Sequence, residues 1–311
     1  MNRILSKYIN KLYVMRWEIG VCRFNKSDLI NSGTFNPNIK WFHLNYLNVF
    51  HADPFLLKSG NENINILYEE YSEDDKYGKI SIMGIDENFN QINYKKLLDT
   101  KSHLSYPFVF EENNKTYVFP ESSKSGKLSC YEYDHENVSF NFLKEIIDLP
   151  LLDSTIVKRN NKYWIFGIMN MNDVDYKLYI FFSDNLLGPY EPHSLNPIKN
   201  GLNGTRPAGN FIVINDQLYR PTQNCENRYG ESITINKVNV LDEVNFEEEP
   251  YMPIYLNQKN NYNIGMRTIH TINILDDIMV VDGENWIYSP LYRLKRYLKK
   301  KIPGKSLNQL E

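Results

Sequence analysis

The sequence predicts an all-β chain, a five-bladed β-propeller with short terminal helices. Three observations carry that prediction. One hairpin pattern occurs five times, at intervals near fifty residues. Aromatic residues make up 14 % of the 311, with 23 Tyr and 16 Phe against 15 Gly, a composition suited to half-buried pleated surface. Between Asp53 and Asp282 no stretch shows the apolar period of a long amphipathic helix.

Taken in order, residues 1–40 open with NRILSKYINKLYVMRW. This run puts Ile4, Leu5, Tyr8, Ile9 and Leu12 on one helical face, with Arg3, Lys7 and Lys11 elsewhere. RWEIGVCRF, Arg16–Phe24, follows as a candidate strand to close the last blade. The propeller is expected over 41–288. Its hairpins are HADPFLLKSGNENINILYEEY from His51, LSYPFVFEENNKTYVFPESS from Leu104 and LLDSTIVKRNNKYWIFGIM from Leu151. Then come TRPAGNFIVINDQLYRPTQNC from Thr205 and IHTINILDDIMVVDGEN from Ile269. Each sets a polar residue before Pro, Ser or Thr, then an apolar strand, a short polar turn and a second apolar strand. A third strand can be read after four of them, in GKISIMGI, GKLSCYEY, YKLYIFFS and ESITINKVNV. Three or four strands repeated at this period describe a propeller blade.

The residues that lead the hairpins are Asp53, Tyr106, Asp153, Arg206 and His270, separated by 53, 47, 53 and 64 positions. In a propeller the first strand of each blade lines the central channel. Five leading residues therefore converge on one axial mouth. Strand filler would be apolar, as the residues that follow them are. The tails of the second strands add Glu70, Glu121, Arg220 with Gln223, and Asp282, while in blade three the same place falls near Gly167.

Residues 289–311 form the last segment. SPLYRLKRYLKKKIPGK sets Arg293, Lys295, Arg296, Lys299, Lys300 and Lys301 among Leu291, Leu294, Leu298 and Ile302. A basic amphipathic helix of this kind is expected at an anionic membrane surface. A net charge of −3 gives no reason to expect nucleic acid as a partner. Cys22, Cys130 and Cys225 are too scattered for a disulfide framework or a zinc site. No apolar run reaches the roughly 18 residues of a membrane span, and no signal-peptide core is present. The expected location is the cytoplasm, at the inner face of a membrane.

Paired carboxylates around a mouth allow general acid/base work or attack at an anomeric carbon. Asp53, Glu121 and Asp153 are the available set, with Glu70 as a fourth. HADPF, SYPFVF, PES, RPAG, YRPTQNC and HT, spread from Trp41 to Trp286, resemble the N-terminal propeller domain of glucosamine inositolphosphorylceramide transferases. More distantly, the Asp openings of blades one and three resemble family 43 glycoside hydrolases. That resemblance implies that Asp53 is base or nucleophile and that Asp153 orients the substrate and adjusts the acid. It also implies a Glu opening blade four, where this chain has Arg206. Protonation would then have to come from Glu121 in another blade.

An arginine in that place has a chemical meaning. Arg206, Arg220 and Arg267 all fall at or near blade openings, and a guanidinium fork matches phosphate bidentately. A phosphate leaving group needs neutralisation more than it needs a proton. Tyr106, Gln223 and His270 complete the candidate binding set with Glu70. No metal or cofactor is assigned, since a lone His270 supports none. Three readings stand open. One is a glycosyltransferase of cell-surface glycan synthesis, using a sugar-phosphate or nucleotide-sugar donor and a glycan or glycolipid acceptor. The others are a furanosidase-type hydrolase and a glycan-binding propeller without catalysis.

Overall fold

The structure, a computed structural model, describes residues 12–31, 35–58, 64–170, 176–256, 266 and 268–301. Strands β1 (Tyr13–Arg23) and β2 (Lys40–Trp41) are separated by a short helix, α1 (Lys26–Asn31). Blade one is β3 (Val49–Lys58), β4 (Ile64–Ser72), β5 (Tyr77–Ile85) and β6 (Gln91–Leu98). Blade two is β7 (Ser105–Glu112), β8 (Lys115–Glu121), β9 (Leu128–Asp134) and β10 (Ser139–Ile147). Blade three is β11 (Leu152–Arg159), β12 (Lys162–Asn170) and β13 (Tyr176–Ser183), edged by β14 (Glu191–Pro192) and β15 (Lys199–Asn200). Blade four is β16 (Asn203–Pro207) and β17 (Ile212–Ile214) on β18 (Gln217–Asn224), then β19 (Ser232–Leu241) and β20 (Phe246–Ile254). β21 (Ile272–Leu275) and β22 (Ile278–Tyr288) begin blade five, which β1 and β2 complete. The fold is a five-bladed β-propeller.

Local chemistry explains the hairpins. The inner turns place Asn113-Asn114, Asn160-Asn161 and Asn215-Asp216 at positive φ in both central positions. That is the type I′ geometry whose twist matches paired strands, and Asn and Asp tolerate it best among side-chain-bearing residues. Inner strands such as β3 are mostly buried, whereas β6 and β10 are mostly exposed, so each blade runs from a dry axis to a wet rim. The core is shared between neighbouring blades. Phe55, Phe119 and Ile165 join blades one to three, Trp164 and Leu218 blades three and four, and Ile235 and Val281 blades four and five. Ile66 and Ile278 pack blade one against blade five.

Closure is made by β1, which pairs with β22 from Tyr13↔Tyr288 to Arg23↔Ile278. The expected strand at Arg16–Phe24 is present. The expected N-terminal helix needs correction at its end, because Tyr13–Trp17 are already strand. There burial alternates, with Val14 and Arg16 in and Met15 out, a period of two that overrides the helical pattern. Residues 1–11 of that expectation lie outside the described residues. The C-terminal helix α2 spans Pro290–Lys301. Among the described residues no helix is long and apolar enough to cross a membrane.

An axial carboxylate cluster as candidate active site

The openings of blades one to four share one irregularity. Pairing slips between Ala52 and Phe55, Ser105 and Phe108, Leu152 and Thr155, and Asn203 and Pro207. In the first three the extra residue is left-handed: Asp53 at φ 50°, Tyr106 at 41° and Asp153 at 49°. A bulge leaves its backbone N–H outside the ladder, and a buried N–H needs a partner. The preceding blade supplies one. Asp282 Oδ2 accepts the Asp53 N–H at 2.9 Å, and Glu121 Oε2 accepts the Asp153 N–H at 3.2 Å. Asp53 Oδ2 itself accepts the Tyr106 N–H at 3.3 Å. Carboxylates at the second-strand tails thus hold the next blade's opening in place.

Two linked groups result. In the first, Thr271 Oγ1 donates to Asp53 Oδ1 at 2.9 Å, and Asp282 Oδ1 accepts the N–H groups of His270 (3.2 Å) and Thr271 (2.9 Å). The His270 ring lies between them, Nε2 3.4 Å from Asp53 Oδ1 and Nδ1 2.8 Å from Asp282 Oδ1. Trp17 of β1 packs against that ring, tilted by 37° with centroids 4.0 Å apart. In the second group Arg206 Nε donates to Asp153 Oδ2, which also accepts from Gln223 Nε2 at 3.2 Å. The guanidinium lies 5.0 Å from the ring of Tyr229 and 5.6 Å from that of Tyr176. Tyr229 joins the two groups, its ring 5.4 Å from His270. Gly230, at φ +61°, is required here: a Cβ would stand 2.8 Å from Trp17 and 2.9 Å from His270.

Burial sets the protonation states. Asp53 is raised to about 6 by burial, against the lowering pull of His270 and with Asp153 and Asp282 pushing further up. Glu121 is raised to about 8 by burial and by the Asp153 charge beside it. At neutral pH Asp53 is therefore an available base and Glu121 an available acid. His270 is held above its usual value: burial lowers it, but Asp282 and Asp53 outweigh that. Asp53, His270 and Asp282 each offer a ligand atom, all within 4.8 Å, and are the described residues that could hold a divalent cation.

Asp53, Glu121, Asp153, Arg206, Gln223, His270 and Asp282 come together as the blade repeat implies. The side chains of Tyr106, Arg220 and Glu70 do not. Tyr106 contributes only its N–H, because its side chain turns inward. Its hydroxyl bonds Thr155 Oγ1 at 2.8 Å and accepts the Gly209 N–H at 2.7 Å, tying blade two to blades three and four. A Cβ on Gly209 (φ +117°) would meet Ile272 O at 2.0 Å, so this crossing needs glycine. Arg220 is corrected as a binding residue. It is fully buried inside blade four, bidentate to Glu248 at 2.8 and 2.6 Å, and it also bonds the carbonyls of Gly204 and Thr205. Glu70 faces outward to Ser81, Tyr94 and Lys96, and its neighbour Glu69 takes the inward place, electrostatically coupled to Asp53, Glu121, Asp153 and Asp282. Adjacent strand residues point to opposite faces, so a one-residue error exchanges the two. Arg267 lies outside the described residues. Trp17, Tyr176 and Tyr229 had no signal in the repeat, since they enter from the closing strand, an outer strand and a loop.

Residues 40–287 match the family described as glucosamine inositolphosphorylceramide transferase 1, N-terminal. The chain belongs to that family. Glucosamine inositolphosphorylceramide transferase 1 of Arabidopsis thaliana is 34 % identical over 249 residues, 76 % of this chain and 32 % of the relative. The chain thus spans about a third of that relative's length. Among solved structures, Zg3597, a family 117 glycoside hydrolase of Zobellia galactanivorans, overlays with a TM-score of 0.53. The overlay covers 90 % of this chain and 92 % of that one at 14 % identity, a likeness of fold. The family 43 protein BlXynB of Bacillus licheniformis covers 70 % of this chain and 48 % of its own, at TM-score 0.49 and 13 % identity.

Proposed function

We propose that this chain is a glycosyltransferase-like, carbohydrate-active protein of cell-surface polysaccharide or glycolipid synthesis. Its axial mouth takes a sugar-phosphate or nucleotide-sugar donor and a glycan or glycolipid acceptor, on the cytoplasmic side of a membrane. The observation that carries the reading is the setting of Arg206. Its Nε is held by Asp153 and its plane is flanked by Tyr176 and Tyr229, so the side chain is pre-positioned. Among the described residues its Nη groups have no hydrogen-bond partner, which leaves a fork for phosphate. The transferase names of the relatives point the same way. In the reaction an acceptor hydroxyl attacks the anomeric carbon and its proton passes to Asp53. The bond from that carbon to the phosphate oxygen breaks, and the electron pair leaves with the phosphate, whose charge Arg206 neutralises.

A furanosidase-type hydrolase is the second reading, favoured by the setting of Glu121: it is buried, its Oε2 accepts the Asp153 N–H at 3.2 Å, and burial together with the Asp153 charge raises its carboxyl to about 8. Thermal-shift screening of nucleotide sugars and sugar phosphates, followed by calorimetric titration, separates the two. Arg206→Lys keeps the charge beside Asp153 but loses the fork. Donor affinity should fall by roughly ten- to a hundredfold, or about 1.5–3 kcal/mol. Asp53→Asn should abolish turnover with donor binding retained. Tight donor binding by Arg206→Lys would remove the phosphate clamp. A severe Glu121→Gln defect without affinity for any phosphorylated ligand would establish hydrolysis instead.

A further inference from the structure

Helix α2 stands apart from the propeller core in both charge and exposure. Tyr292 and Arg296, four residues apart, anchor it to Glu73 at 3.0 and 2.5 Å. Leu291, Leu294 and Leu298 form a second stripe at i, i+3 and i+7, turned roughly 150° away from the anchor at 3.6 residues per turn. These leucines are 74 %, 55 % and 39 % exposed, and Tyr297 is 54 % exposed. From Ser289 to Lys305 the sequence holds Arg293, Lys295, Arg296, Lys299, Lys300, Lys301 and Lys305 and no acidic residue, in a chain of net charge −3. An exposed leucine stripe inside a cationic segment complements an anionic lipid surface. It repels a second copy of itself.

The helix also sits on a definite face. β4 leads outward to Ser72, next to the anchor Glu73, and pairs there with Val49 at the start of β3, near Asp53. β22 runs past Asp282 to Tyr288 and then into α2. The helix and the axial mouth are therefore on the same side of the propeller. The turns at Asn113-Asn114 and Glu136 lie a strand's length away, roughly 25–30 Å. We propose that α2 docks the protein on anionic lipid through Leu291, Leu294 and Leu298, with the axial mouth facing the bilayer. Such docking would present the site to an acceptor carried by the membrane. The docking itself rests on the helix alone and holds whatever reaction the mouth performs.

The full chain is mixed with vesicles of phosphatidylcholine alone or with phosphatidylserine, and bound protein is measured by cosedimentation. Binding should need the anionic lipid and weaken with salt. Leu291/Leu294/Leu298→Ala keeps helix propensity and should lose at least tenfold in partitioning, with its circular dichroism unchanged. Lys295/Lys299/Lys300/Lys301→Gln should lose binding as well. The native cysteines are all buried, so a dye can be placed on Lys124→Cys at the mouth face or on Glu136→Cys at the opposite face. Energy transfer to labelled lipid should be stronger from position 124. Three results would each overturn the proposal: equal binding to neutral vesicles, unchanged binding of the triple-alanine protein, or stronger transfer from position 136. A solution dimer that the alanines abolish would also overturn it, by making the stripe a self-interface.

Discussion

Asp282→Asn tests whether the axial cluster also holds the propeller shut. Asp282 is fully buried. Its Oδ1 accepts two backbone N–H groups of blade five, and Oδ2 accepts the Asp53 N–H of blade one across the closure, 229 positions away in the chain. An asparagine can keep the first pair but must aim an amide donor at the Asp53 N–H. Leaving that buried donor without an acceptor costs about 1–3 kcal/mol. The two retained bonds lose charge assistance, about half their strength each. Neutralising a buried carboxylate returns part of this, so the net loss should be about 3 kcal/mol. At about 2.1 cal/mol/K per residue, 311 residues give an unfolding entropy near 0.65 kcal/mol/K, so Tm should drop by about 4–5 °C. Urea denaturation should show a lower midpoint with unchanged slope, since the exposed surface on unfolding is the same. A loss below about 0.5 kcal/mol would refute the latch and return the bulged N–H of Asp53 to some other partner.

Other expectations follow from the same geometry. Glu121, raised to about 8 from 4.5, binds its proton more tightly in the folded chain than in the unfolded one. Its favourable contribution is complete below the unfolded value and is lost as pH rises toward and through 8. Parent stability should fall between pH 5 and 8, and Glu121→Gln, which mimics the protonated acid, should remove at least about 1 kcal/mol of that fall; parallel pH profiles in urea melts would contradict this. Tyr106→Phe strands the Gly209 N–H and leaves the Thr155 hydroxyl only its longer bond to the Gly209 carbonyl, so urea melts should show about 1–3 kcal/mol of destabilisation. The same variant should bind donor normally, because the Tyr106 N–H to Asp53 is retained; weakened binding would place its hydroxyl in the site.

The repeat made the fold legible. Polar openings, alternating strands and Asn/Asp turns recur locally, and each is decided by a few neighbouring residues. The opening residues Asp53, Asp153, Arg206 and His270 could be placed at one mouth for the same reason, since symmetry turns five sequence positions into one ring. The choice of Glu69 over Glu70 was not legible, because the strand's facing is set by pairing register and not by residue type. Nor was the different fate of Arg220 and Gln223 on one strand: three residues apart, they face opposite ways, and Glu248 of a later strand takes the arginine. Tyr106, expected in the binding set, instead sends its ring beneath the mouth, where its hydroxyl accepts the Gly209 N–H of blade four. Trp17 and Tyr229 enter from a closing strand and a loop that break the repeat. Local chemistry sets what each blade is made of. Which side chains meet across the axis is settled only when strands hundreds of residues apart fix one another's register.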